Sequence, residues 1–437
     1  MAVSAVQPLN IAQVNPVLQE YIDKTVTQVF EEEADFLKML KQETEDKPTN
    51  YRGRRIPIKL TRNPSLAASS PNGGILATPG AHTNNYLTVT YQWLHSGFEQ
   101  TYEAILNNAQ NPVTDQTREG IDSTISTLTY WANCYASNGD GTMRLALTTA
   151  AYDGTNSTTK KTCATSGAVD GLGATQLVVG QKILFFDPTG ATQRTGTVGN
   201  GALTIATISK TGFTTTTDMP SDVALGDIVV PEGTAASATA IKGVPFLAAT
   251  TSGSYFGTSK TTYPQLAPTT TAAGGAVTAA LLLNLHGKMR NRMGANPNYT
   301  VAMSSAQHYA YTNLVGASTT PQYYLHDSNT RPQYDIGGKN IDELSFWGKP
   351  IKFFIRLRAD QLYFLNMKAI KVAMLKKIGR ILDMPAADGL QMIDSNGNYL
   401  AATQKWFDTA FDIYSADPRQ LGAMTGLTWS GAPALVS

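Results

Sequence analysis

The sequence predicts an α+β protein in which a sheet core is flanked by long helices and interrupted by a small, β-rich insertion. Three observations predict this. Residues 113 to 136 carry one unbroken apolar stripe at helical spacing. From about 142 to 240 the composition shifts to Thr, Gly, Ala, Ser and Val, with short β-type runs between turns. The last third alternates helical patterns with strand pairs.

The chain has 437 residues, of which 42% are hydrophobic, enough to build cores and to set disorder aside. Only 15% are charged, against an ordinary ~25%. A sparsely charged surface points to extensive burial against other chains. The net charge of +1 gives no global attraction to nucleic acid or to an anionic membrane. Cys134 and Cys163 are the only cysteines, too few for a zinc cluster or a disulfide framework, so reduced thiols are expected. No basic-then-apolar leader and no run of ~18 apolar residues are present, so neither a signal peptide nor a membrane span is expected.

In order, residues 16 to 42 place Leu18, Ile22, Val26, Val29, Phe30, Phe36, Leu37 and Leu40 near helical spacing, with Asn15-Pro16 as a start signal. "YRGRRIPIKL" (51–60) and "YLTVTYQWLH" (86–95) read as two β-segments enclosing a tip rich in Asn, Pro, Ser and Gly. Such a long hairpin cannot bury its own tip, and its exposed backbone fits if it lies on another subunit. Ile121, Ile125, Leu128, Ala132 and Tyr135 then follow a single helical stripe, opened by Pro112 and closed by Asn138-Gly139. In the insertion, "LVVGQKILFFDPTG", "GALTIATISKTGFTT" and "VALGDIVVPEG" suit a small barrel or sandwich. A polar strip (253–268) and a Thr/Ala/Gly linker lead to a helix over 277–293, with Val277, Leu281, Leu282, Leu285 and Met289 inward and Gly294 as its stop. "NYTVAMS" (298–304) predicts a buried strand, and Ser304 or Ser305 caps the next helix. "WGKPIKFFI", "QLYFLN", "IKVAMLKKIGRIL", "KWFDTAFDIYS" and "AMTGLTWS" predict the closing strands.

This order of elements resembles the major capsid proteins of tailed bacteriophages, the Hong Kong 97-like fold. A long hairpin (51–95) precedes a spine-like helix, and "GSYFGTSKTTYPQLAP" looks like the family's strip through Tyr255, Gly257, Tyr263 and Pro264. "KMRNRMGANPNYTVAMSSAQHYAYTNL", "FWGKPIKFF…LYFLN" and "WFDTAFDIYSADPRQLGAMTGL" follow in the family's order. The resemblance covers most of the chain outside 150–240, and its weight lies in that order, since the fold has no catalytic fingerprint. It implies an N-terminal arm (1–50), an extended hairpin loop (51–95) and a peripheral domain with the spine helix (96–141). It further implies an insertion domain (142–240), a return segment and linker (241–276), an axial domain (277–360) and the remaining peripheral and axial strands (361–437). It also implies self-assembly through hexamers and pentamers into an icosahedral shell around double-stranded DNA. Portal, scaffolding and decoration proteins are the family's partners. The expected location is the virion, assembled in the host cytoplasm.

Other signals are weaker. Ser157-Thr-Thr-Lys160 and Lys210-Thr211-Gly212 evoke penicillin-recognising enzymes, but the serine lies in a polar loop and no S-D-N intervenes. The histidines at 82, 95, 286, 308 and 326 form no close pair of metal-ligand spacing. "DSNGNY" (394–399) lacks the glycine and terminal glutamate of a calcium loop and reads as a tight turn. "GLG" (171–173) completes no dinucleotide fingerprint. Lys368, Lys371, Lys376, Lys377 and Arg380 form a basic run that could meet DNA phosphates, though a solvated or inter-subunit edge is the simpler reading. Some family members crosslink a hairpin lysine to an asparagine; Lys59 lies on this hairpin, but no partner or catalytic acid is identified. No catalytic, cofactor or metal residue is therefore expected. The inter-subunit contacts expected are Arg54 and Arg55 at the hairpin base, with Trp93 and Phe98 where it rejoins the core. Arg54→Glu is expected to leave a folded subunit that assembles poorly. The alternatives are an encapsulin-like nanocompartment shell, which cargo would betray, and a carbohydrate-acting enzyme with an appended β-domain, which needs an acidic cleft.

Overall fold

The computed structural model describes residues 35–44, 53–63, 65, 78, 80–101, 116–149, 162–164, 177–196, 201–209, 212–234, 240–294, 297–316, 345–354, 356–381, 388–393 and 399–428. In chain order the first elements are helix α1 (Asp35–Met39) and strands β1 (Lys41–Thr44), β2 (Arg54–Lys59), β3 (Asn84–Val89) and β4 (Gln92–Thr101). Helix α2 (Gln116–Asn138) follows. Next come β5 (Ala146–Leu147), β6 (Thr162–Ala164), β7 (Lys182–Phe186), β8 (Leu203–Ser209), β9 (Gly212–Thr215) and β10 (Ile228–Pro231). Then β11 (Ser254–Tyr255), β12 (Thr258–Ser259) and β13 (Thr269–Gly275) precede helix α3 (Ala279–Met293), β14 (Thr300–Met303) and helix α4 (Ser305–Gly316). The chain closes with β15 (Ser345–Phe346), β16 (Lys349–Phe353), β17 (Gln361–Leu365), β18 (Ile370–Ile381), β19 (Asp388–Ile393), β20 (Tyr399–Ser415) and β21 (Leu421–Leu427).

The chain divides into two compact units, the first made of residues 1–51, 91–134 and 372–412, the second of 52–90, 135–371 and 413–437. In the first, β1, β18, β20 and β19 form a sheet in that order, and β4 pairs with β20 from Phe411↔Gln92 to Ala402↔Thr101. The helical stripe is realised in α2: Ile121, Ile125, Leu128 and Ala132 are all buried. At 1.5 Å per residue its 23 residues span about 35 Å. Of the predicted N-terminal helix, Phe36, Leu37 and Leu40 are buried as expected, while Leu18, Ile22, Val26, Val29 and Phe30 lie outside the described residues. The helix ends at Met39 rather than at 42, because residues 41–44 extend to pair with β18.

The second unit holds two six-stranded sheets. The insertion sheet runs β5-β10-β7-β8-β9-β6, and every run read as β from the sequence contributes a strand to it. The other sheet runs β13-β21-β17-β14-β16-β15 and is mixed, with β14 parallel to β16 and antiparallel to β17. Strands β14 and β17 are central, which is why Val301, Ala302 and Met303 and all of β17 are buried. Helix α3 lays Leu282, Leu285 and Met289 against Tyr299, Val301, Phe364 and Met424 of this sheet. Thr278 caps α3, accepting from the Leu281 amide, and Gly294 (φ 102°) stops it. Leu281 is only partly buried, and His286 takes an inward place that the sequence reading left out.

Two expectations are corrected. The Thr/Ala/Gly stretch read as linker is strand β13, parallel to β21 from Thr269↔Gly422 to Gly275↔Leu427. Backbone pairing needs no apolar alternation, and the β-branched threonines suit a pleated surface. The segment 86–95 is also not one strand: it breaks at Thr90-Tyr91, so that β3 pairs with β2 while β4 joins β20.

Candidate subunit interface

The hairpin base is a two-stranded ribbon, registered from Arg54↔Val89 to Lys59↔Asn84. Its two faces differ with period two. Leu87 and Val89 are fully buried and Ile56 and Ile58 half-buried on one face; Arg55, Pro57, Lys59, Tyr86 and Thr88 are exposed on the other. The Arg55 guanidinium lies 4.8 Å from the Tyr86 ring centroid, a cation–π contact across the strands, and Tyr86 stays 48% exposed. Arg54, opposite Val89, is half-buried. A free ribbon of two strands is marginal in water. This one is tied at its base: the Thr88 amide donates to the Phe256 carbonyl (3.0 Å) and the Gln265 amide side chain to the Leu60 carbonyl (2.6 Å).

Both ties come from the polar strip at 253–268. Its β11–β12 hairpin turns through Phe256 (φ 47°) and Gly257 (φ 91°), with both central residues left-handed as a type I′ turn requires. Buried Tyr255 secures the turn, its hydroxyl donating to the Ser415 carbonyl (2.9 Å) and accepting from the Ser415 amide (3.3 Å). Tyr255→Phe is expected to lower stability by about 1 kcal/mol, read as a shifted urea midpoint at unchanged slope.

Beside that turn, Lys260 is buried with its ammonium over the rings of Phe246 (5.1 Å) and Tyr255 (5.3 Å), donating to the Thr250 carbonyl (2.5 Å). Burial pushes its pKa down from 10.5 to about 8. Between those values the unfolded chain binds the extra proton, so stability rises with pH across that window. Lys260→Met removes this rise. The stability difference between parent and variant is expected to move in the parent's favour by about 1–3 kcal/mol between pH 7.5 and 10.5 in paired denaturation curves.

The other two expected contact residues lie in the first unit. Trp93 is 39% exposed and stacks on His95 (6.0 Å, 14°), sharing the outer face of the β4–β20 pair with Trp406. Phe98 faces the other way. It stacks on Phe407 (6.3 Å, 13°), and its ring occupies the space a side chain at Gly120 of α2 would fill. Its ring is thus used in packing within the subunit. Arg54 and Arg55 belong to the second unit, Trp93 and Phe98 to the first. Sequence reasoning missed Tyr86, Trp406 and Trp347, all exposed aromatics in strands or turns, for which the alternation along each strand was the available signal.

Among the described residues no group of three His, Cys, Asp or Glu could hold a metal ion, and no helix is long and apolar enough to cross a membrane. Cys134 and Cys163 are both buried and not joined in a disulfide. Ser157, Lys160, Lys210, His326 and the turn at 394–398 lie outside the described residues.

No family model matches the chain, and no curated protein matches it. Solved structures do. The chain is similar to one in the Cyanophage A-1(L) capsid asymmetric unit, at 13% identity and TM-score 0.49, over 91% of this chain and 93% of the other. It is similar to a chain in the capsid of a native GTA particle, at 9% identity and TM-score 0.45, over 90% of each chain. A third similarity is to a chain from Gordonia phage Cozz, at 11% identity and TM-score 0.41, over 91% of this chain and 87% of that one.

Proposed function

We propose that the chain is a structural subunit of a virion capsid that assembles with copies of itself, through hexamers and pentamers, into an icosahedral shell around double-stranded DNA. The observation that carries this reading is the ribbon. It presents Arg55, Pro57, Lys59 and Tyr86 outward on a strand pair whose other face is buried or half-buried and whose base is tied to the strip at 253–268, a shape suited to lying across a neighbour. Each contact is heterologous, and a shell closes because each rotation closes. The proposed subunit has no catalytic step. The hairpin, spine helix, insertion and axial segments take the ranges stated for the resemblance, and Arg54 and Trp93 are proposed contact residues beside Arg55.

The test is size-exclusion with light scattering, then negative-stain microscopy, on the expressed protein with and without Arg55→Glu. Arg55 is exposed, so the variant is expected to keep the parent's circular dichroism. Reversing a charge in a repeated contact is expected to weaken each contact about tenfold or more, enough to remove closed particles. Particles of normal yield from Arg55→Glu would overturn the role of the ribbon. An enzyme-sized monomer from the parent under every assembly condition would overturn the shell.

A further inference from the structure

The β15–β16 hairpin turns through Trp347 (φ 52°) and Gly348 (φ 67°), closed by the Phe346↔Lys349 and Ser345↔Pro350 pairs. Both turn residues are left-handed, a conformation that Asn, Asp and Gly adopt readily and a large aromatic does not. The Trp347 side chain is nevertheless 63% exposed, so little burial offsets the strain. What the indole does touch is His286 of α3, on which it stacks at 5.5 Å and 25°.

His286 is only 8% exposed, a polar residue set into the apolar face of α3. Its Nδ1 lies 2.5 Å from the Tyr299 hydroxyl, and its ring meets Phe346 and Tyr299 edge-on. Burial holds the Tyr299 phenol protonated far above its ordinary range, so it is a donor available to a bare Nδ1. The charged groups that face the imidazole are both cations: Arg290, one turn along the same helix, and Lys349, on the far side of the turn. Tyr299 is the titratable neighbour from the segment before β14. A second proton on Nδ1 would turn the Tyr299 hydroxyl from donor to acceptor and place a buried charge beside two like charges.

We propose that His286 is a proton-responsive seat for Trp347, and that protonating it, which puts a charge under the indole face and beside Arg290 and Lys349, changes how the indole is seated. This goes beyond the shell reading, because the device belongs to a single subunit. Burial, then Arg290 and Lys349, depress the histidine's pKa below its ordinary 6.5. A depressed pKa means the unfolded chain takes the proton first. The seat's contribution is therefore present above pH 6.5 and is lost as pH falls through the folded value.

The test is tryptophan emission of the unassembled subunit between pH 4 and 8, taken as the difference between the parent and Trp347→Phe so that the other tryptophans cancel. The expected result is a single step with its midpoint below 6.5. Neutral His286→Gln, which keeps a polar group toward Tyr299, is expected to abolish the step. Arg290→Gln and Lys349→Gln, which relieve the repulsion, are each expected to move the midpoint upward. A flat difference signal overturns the proposal. So does a step that survives His286→Gln. Should that variant misfold, a midpoint unmoved in both charge variants overturns the assignment to His286.

Discussion

Asp227→Ala is expected to cost the insertion sheet about 3–5 kcal/mol. Asp227 opens toward β10 and is fully buried. Its carboxylate receives the Arg194 guanidinium in a two-point grip, Nε to Oδ2 at 2.8 Å and a terminal nitrogen to Oδ1 at 2.9 Å. Oδ2 also accepts from the Ala224 amide at 2.7 Å, so the same group fixes the turn before β10. The hydrogen bonds that Arg194 donates to Asp227 raise its pKa, and without them a guanidinium still stays protonated. Truncation leaves that three-quarters-buried charge and the Ala224 amide without their acceptor. Asp222 and Asp187 still act on that charge, but the buried acceptor that holds it is gone. The measurement is hydrogen exchange at the amides of Phe185 and Val229, which are paired across β7 and β10. Their protection is expected to fall by two orders of magnitude or more, following the tenfold change per ~1.4 kcal/mol. Protection within tenfold of the parent would show that packing of Ile183, Phe185 and Val229 alone holds the sheet.

Sequence patterning read some elements well for a physical reason. Helix α2 buries one continuous stripe, and each residue of that stripe is an apolar residue at 3.6-fold spacing, so burial is written directly into the order. The insertion strands were legible because glycine, proline and aspartate turns bound them on both sides. Strand β13 was not legible, because its partner β21 lies some 150 residues away in the sequence and its edge is satisfied by groups on α3. There, Lys288 donates to the Thr270 carbonyl and the Thr271 hydroxyl, and Arg292 to the Thr269 hydroxyl. The break at Thr90-Tyr91 was hidden because both halves alternate normally and only their partners differ. Of the expected contact residues, Arg55 and Trp93 are exposed, as strand parity allows. Phe98 follows the same parity to the inner face, a consequence fixed by Gly120, which lies on a helix no local pattern connects to it.

Gly243→Val is expected to destabilise the chain by about 3–5 kcal/mol, because the obstacle it meets is backbone. A Cβ at Gly243 would collide with the Tyr135 carbonyl oxygen and lie 2.7 Å from both the Ala136 carbonyl oxygen and the Gly139 amide nitrogen. A Cβ at Gly139 would in turn lie 2.7 Å from the Ile241 carbonyl oxygen. The two glycines approach closely enough for the Gly243 amide to donate to the Gly139 carbonyl at 2.9 Å. The chain therefore leaves the end of α2 and returns to it at a single point, with the whole β-rich insertion between. Gly201→Ala is the control, since a Cβ there meets open space; it is expected to be neutral or to stabilise by up to about 1 kcal/mol. Ends this close are what an inserted domain needs, because removing it demands little adjustment of the host chain. Replacing residues 141–241 by a short Gly-Ser linker is accordingly expected to leave the β13–β21 sheet and its helices cooperatively folded. Loss of that cooperative transition would mean that the insertion is part of the subunit's core.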